Sequence, residues 1–310
     1  MTASLTALVD GARGGDPRHV ARLISQIEDG GPQSREALMA VAAFPGHAHV
    51  IGITGAPGVG KSTTTSALIT ALRSRGQRVA VLAVDPSSPF SGGALLGDRI
   101  RMQSHAGDDG VYIRSMASRG HLGGLAAATP RVIRALEACD FDAIIIETVG
   151  VGQSEVEIAS TADTCVVLLA PGMGDGVQAA KAGILEIGDV FVVNKADRDG
   201  ADATARELRH MIDLGKWSGW TPPVLKAVAA QSTGIDEVVD AIAAHDRWLA
   251  ESGEQRARRL RRIRDELIAL VVGAVRERLD ARSEELDALS LAVLEGRMDP
   301  FAAAASLQES

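Results

Sequence analysis

Short apolar runs alternate with longer amphipathic stretches along most of this chain, and that rhythm predicts its architecture. The apolar runs fall at Val50–Thr54, Val79–Val84, Val111–Arg114, Ala143–Glu147, Thr164–Ala170, Val190–Asn194 and Val224–Ala229. Several are apolar at nearly every position, as strands covered on both faces must be. Helical spacing between them gives an α/β fold: a mostly parallel, doubly wound sheet flanked by helices. Ahead of the sheet, Leu5, Leu8 and Val9, then Val20, Leu23, Ile24 and Ile27, repeat at helical spacing. Gly30-Gly31-Pro32 breaks that pattern and Phe44-Pro45-Gly46 closes it. After Trp248 the pattern is wholly helical. Leu260, Ile263, Leu267, Leu270, Val271, Val275 and Leu279 make one stripe, and a second helix is expected from about Ser283 to Leu294. The expected organisation is an N-terminal helical extension over 1–45, the α/β domain over 46–247 and a C-terminal helical arm over 248–310.

Composition narrows the function. With only 3% Phe, Trp and Tyr, the core must be built from Ala, Val, Leu and Ile. A formal net charge of −8 argues against general nucleic-acid binding, which needs a basic field. Cys139 and Cys165 lie beside or within apolar runs and read as buried thiols of a reducing compartment. The chain opens without a basic stretch followed by an apolar one, and no apolar run approaches the roughly eighteen residues of a membrane span. A cytoplasmic protein without a membrane partner is expected.

The segment IGITGAPGVGKSTTTSALITAL carries the strongest chemistry. Gly55, Ala56, Pro57, Gly58, Val59, Gly60, Lys61 and Ser62 fit G-x-x-x-x-G-K-[ST], between a strand and a helix. Glycines let the backbone curl so that N–H groups converge on phosphate oxygens, and the helix N-terminus adds partial positive charge. Lys61 reaches the β and γ phosphates, the Ser62 hydroxyl suits Mg²⁺, and Thr63 extends the same cradle. The ligand is a nucleoside triphosphate.

The base follows from Asn194-Lys195-Ala196-Asp197 at the end of a strand. A carboxylate at Asp197 accepts from guanine N1–H and the exocyclic amine, whereas adenine lacks the N1 proton and leaves it unpaired. Lys195 would lie along the purine face and Asn194 would brace the loop. GTP and GDP are therefore the expected ligands, with Ala229, Ala230 and Gln231 at the place of a base-contacting loop. The strand Ala143–Glu147 delivers an acid and then Gly150, whose amide can meet the γ-phosphate. Lys61, Glu147 and Gly150 are the candidate catalytic set. Ser62, Asp85, Asp98 and Glu147 are the candidate Mg²⁺ shell, with Glu147 standing where aspartate is commoner. Val151 occupies the position where many small GTPases place a water-orienting glutamine, and Gln153 is out of register, so slow intrinsic hydrolysis is expected.

Together GAPGVGKST, VLAVDPSSPFSGGALLGDRIRM, ETVGVGQSE and NKAD resemble the MeaB/ArgK GTPases, chaperones of adenosylcobalamin-dependent methylmalonyl-CoA mutase. The resemblance spans nearly the whole chain. It implies a P-loop GTPase of signal-recognition-like class, a homodimer formed through the C-terminal helices, and metal-shell acids at Asp85, Asp98 and Glu147. It also implies that the stretch Gly174 to Lys181 couples nucleotide to mutase through Asp175 and Lys181. GTP binding and hydrolysis would gate cofactor loading into the mutase and protect it from inactivation. The segment from Arg297 to Leu307 is expected to be an ordered tail docked on a neighbouring subunit.

Other functions fit less well. A kinase acting on a transport-system binding protein needs a base and an acceptor groove, and nothing in the sequence marks either. A nickel or cobalt metallochaperone calls for clustered His or Cys, whereas His47 and His49 are the only close pair and read as a pre-strand loop. The six arginines between Arg256 and Arg264 read as the solvated or dimer-flanking side of a helix, not as a nucleic-acid site.

Overall fold

The apolar runs become strands, and the five inner ones are buried on both faces. The computed structural model describes residues 3–85, 105, 107–117, 128–148, 154–172, 185–215, 217 and 219–309. Seven strands form one sheet: β1 (His49–Thr54), β2 (Val79–Asp85), β3 (Val111–Ala117), β4 (Ala143–Thr148), β5 (Thr164–Leu169), β6 (Val190–Val193) and β7 (Val224–Lys226). Their order is β3-β2-β4-β1-β5-β6-β7, and every pairing is parallel. The sheet is thus wholly rather than mostly parallel. In β4, Ile144 and Ile146 enter one hydrophobic cluster and Ile145 the other, so successive side chains feed opposite cores. The run ending at Ala229 was expected to stay extended, but β7 stops at Lys226. The Ala229 N–H bonds the Asn194 side chain instead of a strand, and Ala229–Gln231 form a 3₁₀ turn.

Helices cover both faces. Ahead of the sheet run α1 (Ala3–Arg13), α2 (Pro17–Asp29) and α3 (Gly31–Val41). Asp16 accepts from the Arg18 amide as N-cap of α2, and Pro17 opens that helix. Its apolar stripe, Val20, Leu23, Ile24 and Ile27, is fully buried in the same cluster as Val132 and Ile144. Within and beyond the sheet follow α4 (Lys61–Ser74), α5 (Thr129–Ala138), α6 (Ser154–Thr161), α7 (Ala201–Leu214) and α8 (Ile235–Ser252). The C-terminal helices are α9 (Glu254–Asp280), α10 (Ser283–Leu294) and α11 (Pro300–Glu309). Contacts group the chain into two units, Met1–Arg259 and Leu260–Ser310.

Aspartates finish the strand starts. At the N-terminal end of a parallel sheet the first amide of a strand has no ladder partner. Asp142 accepts from the Arg78 amide at 2.7 Å, Asp163 from Val50 at 3.0 Å and Asp189 from Cys165 at 2.9 Å. Each of these acids precedes one strand and serves its neighbour. Cys139 and Cys165 are buried thiols, and burial pushes the Cys139 thiol up to about 12, which leaves it unreactive.

The same end of the sheet corrects two expectations. His49 does not lie in a pre-strand loop: it opens β1 and turns its Nε2 to Thr164, whereas His47 is exposed. Arg258 and Arg259 are half-buried and bonded rather than free in solvent. Arg258 grips both oxygens of Asp189 at 2.8 Å and donates to Asp163 O, and Arg259 donates to Ala48 O. Near Asp189 sits His245 of α8, wholly buried, with ring centroids of Trp220 and Trp248 at 4.8 and 5.5 Å.

Burial pushes the His245 imidazole down from 6.5 to about 4, only partly opposed by the Asp189 carboxylate. The folded protein therefore holds the neutral ring. Its contribution to stability is complete above pH 6.5 and is lost as the pH falls toward 4, by at most about 3 kcal/mol. Chemical denaturation of wild type and His245→Phe between about pH 7.5 and about pH 4.5 should show a steeper acid loss in the wild type. Equal slopes would remove His245 as its source.

Candidate functional site

The centre of the sheet aims its C-terminal edge at one loop cluster. β1 runs into Gly55–Gly60, and α4 begins at Lys61. Two glycines are obligatory there. Gly55 has φ 138°, and a Cβ on it would lie 2.3 Å from Leu168 O; Gly60 has φ 98°, and its Cβ would lie 2.5 Å from Asn194 Nδ2. Gly60 thus forms the left-handed N-cap that turns the free amides of α4 toward a ligand.

Lys61 is nearly buried, and its Nζ donates to Gly55 O at 2.7 Å and Ala56 O at 3.2 Å. The Ser62 hydroxyl donates to Glu147 Oε1 at 2.5 Å, and both residues are buried. Glu147 comes from β4, where it lies beside Ile53 of β1 and Ala83 of β2. The strand pairing therefore carries the acid to the start of α4. A hydroxyl and a carboxylate facing each other at a helix N-terminus are hard oxygen donors, and this pair fits Mg²⁺.

Asn194 ties the loops together. Its Nδ2 donates to Val59 O at 2.8 Å and its Oδ1 accepts from the Ala229 amide at 3.1 Å. One side chain thus joins the phosphate loop, the loop after β6 and the 3₁₀ turn. Lys195 takes a left-handed φ of 56° and donates from Nζ to Gly58 O at 2.6 Å, which lays its chain beside the P-loop. Asp197 is exposed at the end of this loop. A cleft of about 420 Å³ opens between α4 and the turn, lined by Ser62, Thr63, Ser66 and Thr70 on one side and Ala229 and Ala230 on the other.

The structure gathers Gly55 to Thr63, Glu147, Asn194, Lys195 and the Ala229–Gln231 turn at this edge. Asp85 ends β2 one residue beyond the pair Val84 and Thr148, at the same sheet edge. The side chain of Asp85, and all of Asp98, Gly150, Val151, Gln153, Asp175 and Lys181, lie outside the described residues. Among the described residues no three His, Cys, Asp or Glu side chains gather as metal ligands, and no helix is long and apolar enough to cross a membrane.

A glycine-rich loop and lysine at a helix start, behind the central strand of a parallel sheet and beside a buried strand-end acid, define a P-loop nucleotide hydrolase. The chain belongs to the family described as methylmalonyl Co-A mutase-associated GTPase MeaB, whose model matches residues 20–284. A protein of Pyrococcus horikoshii named as a GTPase is 47% identical over 301 residues, covering 96% of this chain and 95% of its own. GTPase ArgK of Escherichia coli is 38% identical over 261 residues, 81% of this chain and 78% of its own. The mouse methylmalonic aciduria type A homolog, a mitochondrial protein, is 36% identical over 262 residues, 82% of this chain and 63% of its own. A crystal structure described as an LAO/AO transport system kinase superposes with a TM-score of 0.75 at 27% identity, over 100% of this chain and 98% of that one. The chain is therefore a GTPase.

Proposed function

We propose that this GTPase is a metabolic chaperone. It binds GTP with Mg²⁺, hydrolyses it to GDP and phosphate, gates cofactor loading into an adenosylcobalamin-dependent methylmalonyl-CoA mutase and protects that enzyme. The observation that supports the nucleotide chemistry best is the Ser62–Glu147 pair at the start of α4. Support for the client is the family's own description, which couples the GTPase to methylmalonyl Co-A mutase.

In this reading the amides from Gly58 to Thr63 and the Lys61 ammonium receive the phosphates and absorb charge as water attacks the γ-phosphorus in line. Ser62 and Glu147, with Asp85 and Asp98, would hold Mg²⁺, which would supply charge neutralisation for the phosphates. Asp197 reads guanine, Lys195 covers its face, and the Ala229–Gln231 turn closes the other side. Gly150 would offer its amide to the γ-phosphate. Asp175 and Lys181 would carry the state of the nucleotide to the client. Val151 leaves intrinsic hydrolysis slow, so the client completes the site.

The protein works as a cytoplasmic homodimer. Supporting this, Leu260, Leu267, Val271 and Val272 of α9 are 57%, 58%, 65% and 60% exposed, more apolar surface than a solitary helix keeps in water. GTP turnover measured alone and with an adenosylcobalamin-dependent acyl-CoA mutase of the same organism tests the proposal. A severalfold rise with the mutase is expected, and tight GTP binding with unchanged turnover would contradict the chaperone role.

A further inference from the structure

The N-terminal ends of β1, β5 and β6 meet in a polar cluster at the opposite end of these strands from the nucleotide loops. His49 opens β1, Thr164 opens β5 and Asp189 directly precedes β6. These three strands are neighbours in the sheet. At their other ends β1 becomes the P-loop, β5 touches it where Leu168 O meets Gly55, and β6 becomes the loop of Asn194 and Asp197. The strands that carry the nucleotide loops therefore share one foot.

Thr164 Oγ1 lies 2.7 Å from His49 Nε2 and 2.7 Å from His245 Nδ1. A hydroxyl has one proton, so it donates to one ring and accepts from the other. Two arrangements result. In the first, Thr164 donates to His245 Nδ1, and His245 carries its proton on Nε2, 3.3 Å from Asp189 Oδ1. In the second, Thr164 donates to His49 Nε2, the bare Nε2 of His245 faces the Asp189 carboxylate, and His49 holds its proton on Nδ1, 3.8 Å from Asp246 Oδ1. His245 Nε2 stands close to Asp189 without hydrogen-bond alignment, so a small displacement of β6 against α8 changes which arrangement is favoured. Asp163, Asp189, Asp246, Arg258 and Arg259 are the charges that face the two rings. Asp189 in turn holds Arg258 in the first turns of α9.

We propose that His49, Thr164 and His245 form a two-state hydrogen-bond relay through which the nucleotide bound at the tops of β1, β5 and β6 is read at the junction of α8 and α9. The relay rests on the nucleotide reading above. A strand buried on both faces transmits a shift along its length because its neighbours are close-packed. The hydroxyl supplies the discrete two-state element that coupling requires.

Nature has placed a reporter beside it: Trp220 and Trp248 flank His245, and Trp220 Nε1 donates to Asp189 O. The experiment compares tryptophan emission of the full chain bound to GDP and to a non-hydrolysable GTP analogue in wild type, Thr164→Ser and Thr164→Val. Histidine ¹⁵N shifts of the wild type, which report the tautomer of His245, are recorded in the same two states. Wild type and the serine variant should differ between nucleotides, and the valine variant should not, with GTP affinity equal within about twofold in all three. The tautomer of His245 should change with the nucleotide. Identical emission and tautomer in both states of the wild type would overturn the relay, as would a valine variant that responds like wild type. Failure of GTP to bind the wild type would overturn the nucleotide reading first, and the relay with it.

Discussion

Lys61→Ala is expected to lower GTP turnover by about 100-fold or more, the loss seen when one preorganised charge facing a developing anion is removed. The side chain is nearly buried and held by two P-loop carbonyls, Gly55 O and Ala56 O, so its ammonium is already in place before phosphate arrives. Lys195 also donates to the P-loop backbone, but at Gly58 O and from the loop after β6. Because the lysine sits at the first position of α4, alanine keeps the helix start and spares the fold. Phosphate release and thermal denaturation should be measured on the same preparation. Turnover within threefold of wild type in a folded variant would remove Lys61 from the transition state, since about threefold corresponds to well under 1 kcal/mol.

Asp197→Asn should change which purine is bound. Guanine presents two donors on its Watson–Crick edge, N1–H and the 2-amino group, and a carboxylate accepts both. An asparagine accepts one and sets its own amide against the other. The expected loss of GTP affinity is about 100-fold or more, because a hydrogen bond to a charged group is replaced by a clash of donors. Xanthine carries an oxygen at C2 where guanine has the amine, so the variant should gain affinity for XTP. Competition titrations with GTP and XTP measure both effects. The loop itself is fixed by Asn194, whose bonds to Val59 and Ala229 do not involve position 197, so the substitution leaves the scaffold intact. Unchanged GTP affinity would mean that Asp197 does not face the base.

Much of this fold was legible because its inner strands are buried on both faces. Runs such as Ala143–Ile146 have no polar position to confuse them, whereas the edge runs at Val111–Arg114 and Val224–Ala229 carry Arg114 and Lys226 and were legible from their β-rich composition. The site loops were legible for a different reason: the phosphate and base motifs are contiguous, and their chemistry constrains adjacent residues. What stayed hidden depends on distant partners. Arg258 looks like one more solvated arginine in a basic run, yet its acid, Asp189, is 69 residues earlier and its second acceptor, Asp163 O, 95 earlier. His49 looks like half of a loop pair because its partner Thr164 is 115 residues away. The aspartates before β4, β5 and β6 carried a faint local signal, an acid immediately ahead of an apolar run, which in a parallel sheet marks an amide that needs an acceptor. The early end of β7 was invisible for the same reason as the rest: the Ala229 amide is taken by Asn194, and no local pattern announces that.

The most direct test of the central claim is a calorimetric titration of the wild-type protein with GTP, GDP and ATP in the presence of Mg²⁺. GTP and GDP should bind at one site per chain and ATP at least about 1,000-fold more weakly, the discrimination that a carboxylate reading two donors provides. Equal binding of ATP and GTP would contradict the assignment of Asn194, Lys195 and Asp197 to guanine. Binding of neither would contradict the site as a whole.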